Sequence, residues 1–131
     1  MNEEEVLNWI KKLPKSELDI PLVVIDDRAY TPNEILEMVR RKVGLGRRLL
    51  TLDVSALKRV PAEPQLHELA KIRLKKKLEK MPKKFVLARY VLGKKEKYSA
   101  DELIEEIERE SPVGREFIDT EKRIVRDLLS R

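Results

Sequence analysis

Residues 71–97 read KIRLKKKLEKMPKKFVLARYVLGKKEK, and the side chains most capable of chemistry are gathered there. Lys and Arg outnumber Asp and Glu by 12 to three in residues 64–100, whereas residues 1–63 hold 11 of each and residues 101–131 hold six against ten. The formal net charge of +5 therefore arises in one segment. Its cations are Lys71, Arg73, Lys75, Lys76, Lys77, Lys80, Lys83 and Lys84, followed by Arg89, Lys94, Lys95 and Lys97 interleaved with Phe85, Tyr90 and Tyr98. Cationic side chains neutralise phosphates and flat rings stack on bases, the two requirements of a single-strand binding surface. The pattern predicts a nucleic-acid site, single strands favoured over duplex, formed by Lys71, Arg73, Lys75, Lys76, Lys77, Lys80, Lys83, Lys84, Arg89, Tyr90, Lys94 and Lys95. The competing reading is a solvated basic face, or a surface answering the acidic stretch DELIEEIERE at 101–110 within the fold or between subunits.

A second basic group, RRKVGLGRR, places Arg40, Arg41, Arg47 and Arg48 around two glycines ahead of a helix. Outward N–H groups at a helix start hold anions, and arginines would add to that. Glycines also let one helix end and another begin. The related stretch SPVGREF keeps Gly114 and Arg115 without the other cations, so a turn is the preferred reading. Helix, glycine turn, helix is also the order of a duplex-reading motif, but the second occurrence would press DELIEEIERE against phosphates.

Other chemistry is sparse. Asp26 and Asp27 resemble paired catalytic carboxylates, yet their equivalents 68 positions on are Lys94 and Lys95, so a hairpin turn is the preferred reading. There is no cysteine and one histidine, His67, read as a surface or packing residue. No phosphate-binding loop, dinucleotide fingerprint or metal spacing occurs, so the sequence predicts a non-enzymatic protein without cofactor or metal.

The elements that must carry these residues repeat. YTPNEILEMV at 30–39 and YSADELIEEI at 98–107 lie 68 positions apart, and the same gap-free offset aligns Pro14 with Pro82, Val23 with Val91, and Gly46-Arg47 with Gly114-Arg115. A constant offset that keeps turns, caps and apolar positions points to a duplicated unit. Each unit reads as helix, hairpin, helix, helix. VLNWIKKLP and LKKKLEKMP are helices stopped by proline, and LVVIDDRAY and YVLGKKEKY are hairpins. Thr31 with Glu34, and Ser99 with Glu102, form capping boxes, with Tyr30 and Tyr98 stapling Ile35 and Leu103. Helices then run through RRLLTLDVSALKR and REFIDTEKRIVRDLLSR.

The predicted fold is α+β: residues 1–63 and 64–131 are the two units, packed in one compact domain, with their hairpins either meeting in one four-stranded antiparallel sheet or packing on shared helices. In the basic helix, Leu66, Ala70, Leu74, Leu78 and Met81 form the buried stripe and leave the cations outside. The first unit has Glu3, Glu5 and Trp9 where the second has Lys71, Arg73 and Lys77, so the fold needs no cation there. On the last helix, Phe117, Ile118, Ile124, Val125, Leu128 and Leu129 make a stripe wide enough to predict a homo-oligomer.

No stretch has the roughly 18 apolar residues of a membrane span, and the acidic start does not fit a signal peptide; a cytoplasmic location is expected. Charged residues make up 40% of the chain against three Asn and one Gln, the bias of thermophilic proteins.

Overall fold

A computed structural model describes residues 1–131. The fold is α+β, with six helices and two antiparallel two-strand hairpins. In chain order these are α1 (Glu3–Lys11), β1 (Val23–Ile25), β2 (Arg28–Tyr30), α2 (Pro32–Arg41), α3 (Leu45–Leu49), α4 (Glu63–Glu79), β3 (Val86–Val91), β4 (Lys94–Ser99), α5 (Ala100–Arg109) and α6 (Pro112–Leu129). No helix is long and apolar enough to cross a membrane.

The helix starts follow directly from local chemistry. Thr31 Oγ1 accepts from Glu34 N–H at 3.0 Å while Glu34 accepts from Thr31 N–H at 2.8 Å, and Ser99 and Glu102 repeat the exchange at 3.1 and 3.0 Å. Two otherwise unpaired N–H groups are satisfied at each start. Both helices end on a left-handed residue, Lys42 (φ 55°) and Glu110 (φ 52°), and the chain then doubles back. The glycines that follow permit close helix approach. A Cβ on Gly46 would lie 1.9 Å from the Met38 carbonyl oxygen, and one on Gly114 would lie 2.1 Å from that of Glu106. These glycines thus serve the α2–α3 and α5–α6 contacts rather than acting only as helix stops.

Three expectations are corrected. The hairpins form two separate two-stranded sheets, not one of four strands. Each packs on helices of its own neighbourhood, β1–β2 on the cluster around α1 and α2 and β3–β4 on that around α5. The gap-free offset also fails inside the hairpins. Ile25 pairs with Arg28 around Asp26-Asp27, but Val91 pairs with Lys94 around Leu92-Gly93, so Lys94 and Lys95 are strand residues rather than counterparts of the aspartates. The glycine moved the turn, because a two-residue turn with both central φ positive favours Gly at one position. Third, α3 has only five residues, and the rest of RRLLTLDVSALKR is a turn and a 3₁₀ segment at Val54–Lys58.

The core has two parts. The larger contains Val6, Trp9, Ile10, Leu22, Ile35, Val39, Leu49 and Leu57 from the first half, closed by Leu66 and Leu69 of α4 and by Val125, Leu128 and Leu129 of α6. The smaller joins Ala70, Leu74 and Leu78 of α4 to Leu103 and Ile107 of α5 and Ile118 of α6. Helices α4 and α6 therefore serve both parts, and each half relies on the other for burial.

Candidate nucleic-acid interface

The β3–β4 hairpin is the element that separates the basic residues into used and unused groups. Its register pairs Val86 with Ser99, Leu87 with Tyr98, Ala88 with Lys97, Arg89 with Glu96, and Tyr90 with Lys95. Successive side chains alternate between faces of a strand, so one face carries Leu87, Arg89, Val91, Lys94, Glu96 and Tyr98 and the other Val86, Ala88, Tyr90, Lys95, Lys97 and Ser99, with Lys94 exposed next to the turn. The first face lies against the helices: Leu87, Phe85 and Tyr98 pack on the smaller core. Arg89 Nη1 reaches Glu116 Oε2 on α6 at 2.8 Å, and the Tyr98 hydroxyl donates to Glu96 Oε2 at 2.8 Å. The Glu116 contact raises the Arg89 pKa further, and the hydrogen bond to Glu96 pushes the Tyr98 phenol above its ordinary value. Arg89 thus ties the hairpin to α6, while the Tyr98 bond lies within β4.

The opposite face has no cover. Tyr90 is 74% exposed, Val86 is 55% exposed, and Ala88, Lys95 and Lys97 are exposed beside them. Directly opposed side chains in an antiparallel pair have Cβ atoms about 5 Å apart, so the Lys95 ammonium and the Tyr90 ring share one patch. None of Lys76, Lys80, Lys83, Lys84, Lys94, Lys95 and Lys97 takes part in an ion pair, and all seven are exposed. Lys83 and Lys84 lie in the short segment that leads from α4 into β3.

The other cations of the expected site are engaged within the fold. Arg73 is fully buried: its Nε donates to Glu121 Oε1 at 2.9 Å, its Nη1 to the Pro21 carbonyl at 2.9 Å, and its Nη2 to Glu17. Lys77 Nζ joins the same group, 2.7 Å from Glu121 Oε1 and 3.3 Å from Glu17 Oε1. Two carboxylates and two cations thus neutralise one another between the halves, which is how buried charge becomes tolerable. Lys75 meets Glu108 at 2.7 Å, and Lys71 meets Glu110 at 3.5 Å. Arg73 is thus enclosed in a buried ion-pair group, and Lys71, Lys75, Lys77 and Arg89, all partly exposed, each have a carboxylate partner within the fold. Met81, expected in the buried stripe of α4, is exposed, and Leu69 takes a core place instead.

The second basic group is also engaged. Arg40 pairs with Glu3 at 2.7 Å, Arg41 with Glu37 at 2.8 Å, and Arg48 with Asp26, leaving Lys42 and Arg47 without a carboxylate. The α6 stripe serves the core through the buried Ile118, Val125, Leu128 and Leu129, and its edge residues Phe117 and Ile124 are partly exposed. His67 is more than a surface residue: its Nε2 lies 2.6 Å from Glu110 Oε1, linking α4 to the turn before α6. That contact is the main reason the Glu110 carboxyl sits below its ordinary value. Nowhere do three or more His, Asp or Glu side chains converge in a way that could hold a metal ion.

Glu17 and Glu121 escaped the sequence reading, although a signal for Glu121 existed. It falls in phase with Ile118, Val125 and Leu128, as Arg73 does with Leu66, Leu69 and Ala70. A carboxylate and a guanidinium, each on the apolar phase of its own helix, are the mark of a buried pair. Compared with protein-family models, with curated proteins and with solved structures, the chain shows no match.

Proposed function

We propose that this chain binds single-stranded nucleic acid on the uncovered face of the β3–β4 hairpin. One observation carries the reading: Tyr90 stands exposed next to Lys95, and neither side chain is used by the fold. A buried ring would have been a packing residue. An exposed ring flanked by unpaired ammonium groups supplies a stacking platform and phosphate neutralisation together. Lys95 and Lys97 on that face of β4, with Lys83 and Lys84 at the entry to β3, supply the charge; Lys94, exposed beside the hairpin tip, and Lys76 and Lys80 along α4 extend the basic field. The function is binding without catalysis.

The same reading takes the chain as a duplicated unit whose second copy acquired this face. Support comes from the offset of 68 shared by the capping residues Thr31 and Ser99, the left-handed residues Lys42 and Glu110, and the close-approach glycines Gly46 and Gly114. The hairpins depart from that offset, and the departure lies where the proposed specialisation is.

Binding of fluorescein-labelled oligothymidylate at low salt tests the function, read by anisotropy with the wild type and Tyr90→Ala. The variant should bind more weakly by about 1–3 kcal/mol. Its unfolding midpoint should hardly move, since an exposed side chain contributes roughly 0.5 kcal/mol or less. Wild type that does not bind, or a variant that binds equally well, would refute the proposal.

A further inference from the structure

Leu92 is 99% exposed, at the tip of the β3–β4 hairpin, and has a φ of 51°. Both properties are unfavourable for a leucine. A left-handed backbone brings Cβ close to the following carbonyl oxygen, and an aliphatic side chain gains nothing from full solvation. The chain itself shows that the turn does not require it. The corresponding first turn residue of the β1–β2 hairpin is Asp26, at φ 50°, and aspartate tolerates that conformation and water alike. Residues held in sparsely populated backbone regions cluster at functional sites, and the observation here is the outlier rather than the function.

Leu92 is followed by Gly93 and then by Lys94 and Lys95, neither of which has a carboxylate partner. The tip is therefore apolar at its end and cationic at its base. Its complement is an anionic polymer with an apolar slot, and a nucleic-acid strand offers one between neighbouring bases. Tyr90, two residues earlier in the chain and near the end of β3, is exposed close to this tip. An anionic lipid surface would also meet lysines with an apolar tip, but one leucine is a slight anchor compared with the acyl chain that alone gives only marginal membrane binding.

We infer that Leu92 is a wedge that enters between two bases of the bound single strand and unstacks them while Tyr90 stacks on a neighbouring base. The inference rests on the single-strand reading above. Insertion of apolar side chains between base steps is an established way for proteins to unstack nucleic acid, and it is easiest where stacking is weak.

The test uses the full chain, wild type and Leu92→Asn, with oligodeoxyadenylate as the probe. Near-ultraviolet circular dichroism reports its base stacking and anisotropy reports its binding. Wild type at saturation should diminish the stacked-adenine signal. Leu92→Asn should bind about tenfold more weakly, leave that signal at its free-strand value when saturated, and unfold about 2 °C higher because the turn strain is relieved. Salt-dependent binding by wild type with the adenine signal unchanged, or equal loss of signal with the variant, would overturn the wedge and leave the binding proposal standing. No binding to any strand would overturn both. Leu92-dependent binding to phosphatidylserine vesicles without strand binding would do the same and assign the tip to a membrane surface.

Discussion

Arg73 and Lys76 stand three positions apart on α4 and have opposite fates. Arg73 is completely buried between Glu17 and Glu121, whereas Lys76 is exposed and unpaired. Composition treats them alike; helical phase separates them. Removing the guanidinium would leave two buried carboxylates with Lys77 as their remaining cation. Arg73→Met should therefore cost about 3–5 kcal/mol in chemical denaturation, while Lys76→Glu should change stability by no more than roughly 0.5 kcal/mol. The residue-level site was legible only in part. A run of lysines and the aromatic residues beside them could be read directly, but which cations had partners depended on Glu17, Glu108, Glu110, Glu116 and Glu121, all distant in sequence. Tyr90 became the informative residue once strand alternation had placed it on the open face.

Legibility was best where an element is specified by its own neighbours. Both capping boxes and both helix starts stand where the spacing placed them, because the donor and acceptor are three residues apart. Thr31→Ala or Ser99→Ala should each lower stability by about 1 kcal/mol, measured as a shift in the denaturant midpoint. Gly46→Ala and Gly114→Ala should cost more, about 2 kcal/mol or above, since the new methyl would meet helix backbone that cannot swing aside. Strand register was less legible. The hairpin turn slid by two positions against the repeat, and nothing in a period-of-two pattern prevents that when both arms can be extended. The single four-stranded sheet was a demand for strand pairing, and helices α4, α5 and α6 met the same demand for burial instead.

At the scale of the whole molecule, charge does two jobs. One set of ion pairs ties distant parts of the chain together, among them Glu63 with Lys122, Glu108 with Lys75 and Glu110 with His67. Hydrogen bonds from these partners hold the carboxyls of Glu63, Glu108 and Glu110 below their ordinary value of 4.5. A carboxyl whose pKa is lower in the folded state contributes stability above the unfolded value and loses it as pH falls through the folded one. The thermal midpoint should accordingly stay nearly level from neutrality down to about pH 5 and drop below about pH 4.5. Glu110→Gln should make that drop shallower.

The other set of charges is unspent, and the central claim concerns it. If Lys83, Lys84, Lys94, Lys95 and Lys97 neutralise about four phosphates of a single strand, the logarithm of the binding constant should fall against the logarithm of salt concentration with a slope of about −3. The decisive measurement is that salt titration with oligothymidylate, run in parallel on wild type and on a variant carrying Lys94→Glu, Lys95→Glu and Lys97→Glu. Wild type should give a slope near −3 and the variant a markedly flatter one, with unfolding midpoints alike. A wild-type slope near zero, or one that the triple variant leaves unchanged, would contradict the central claim.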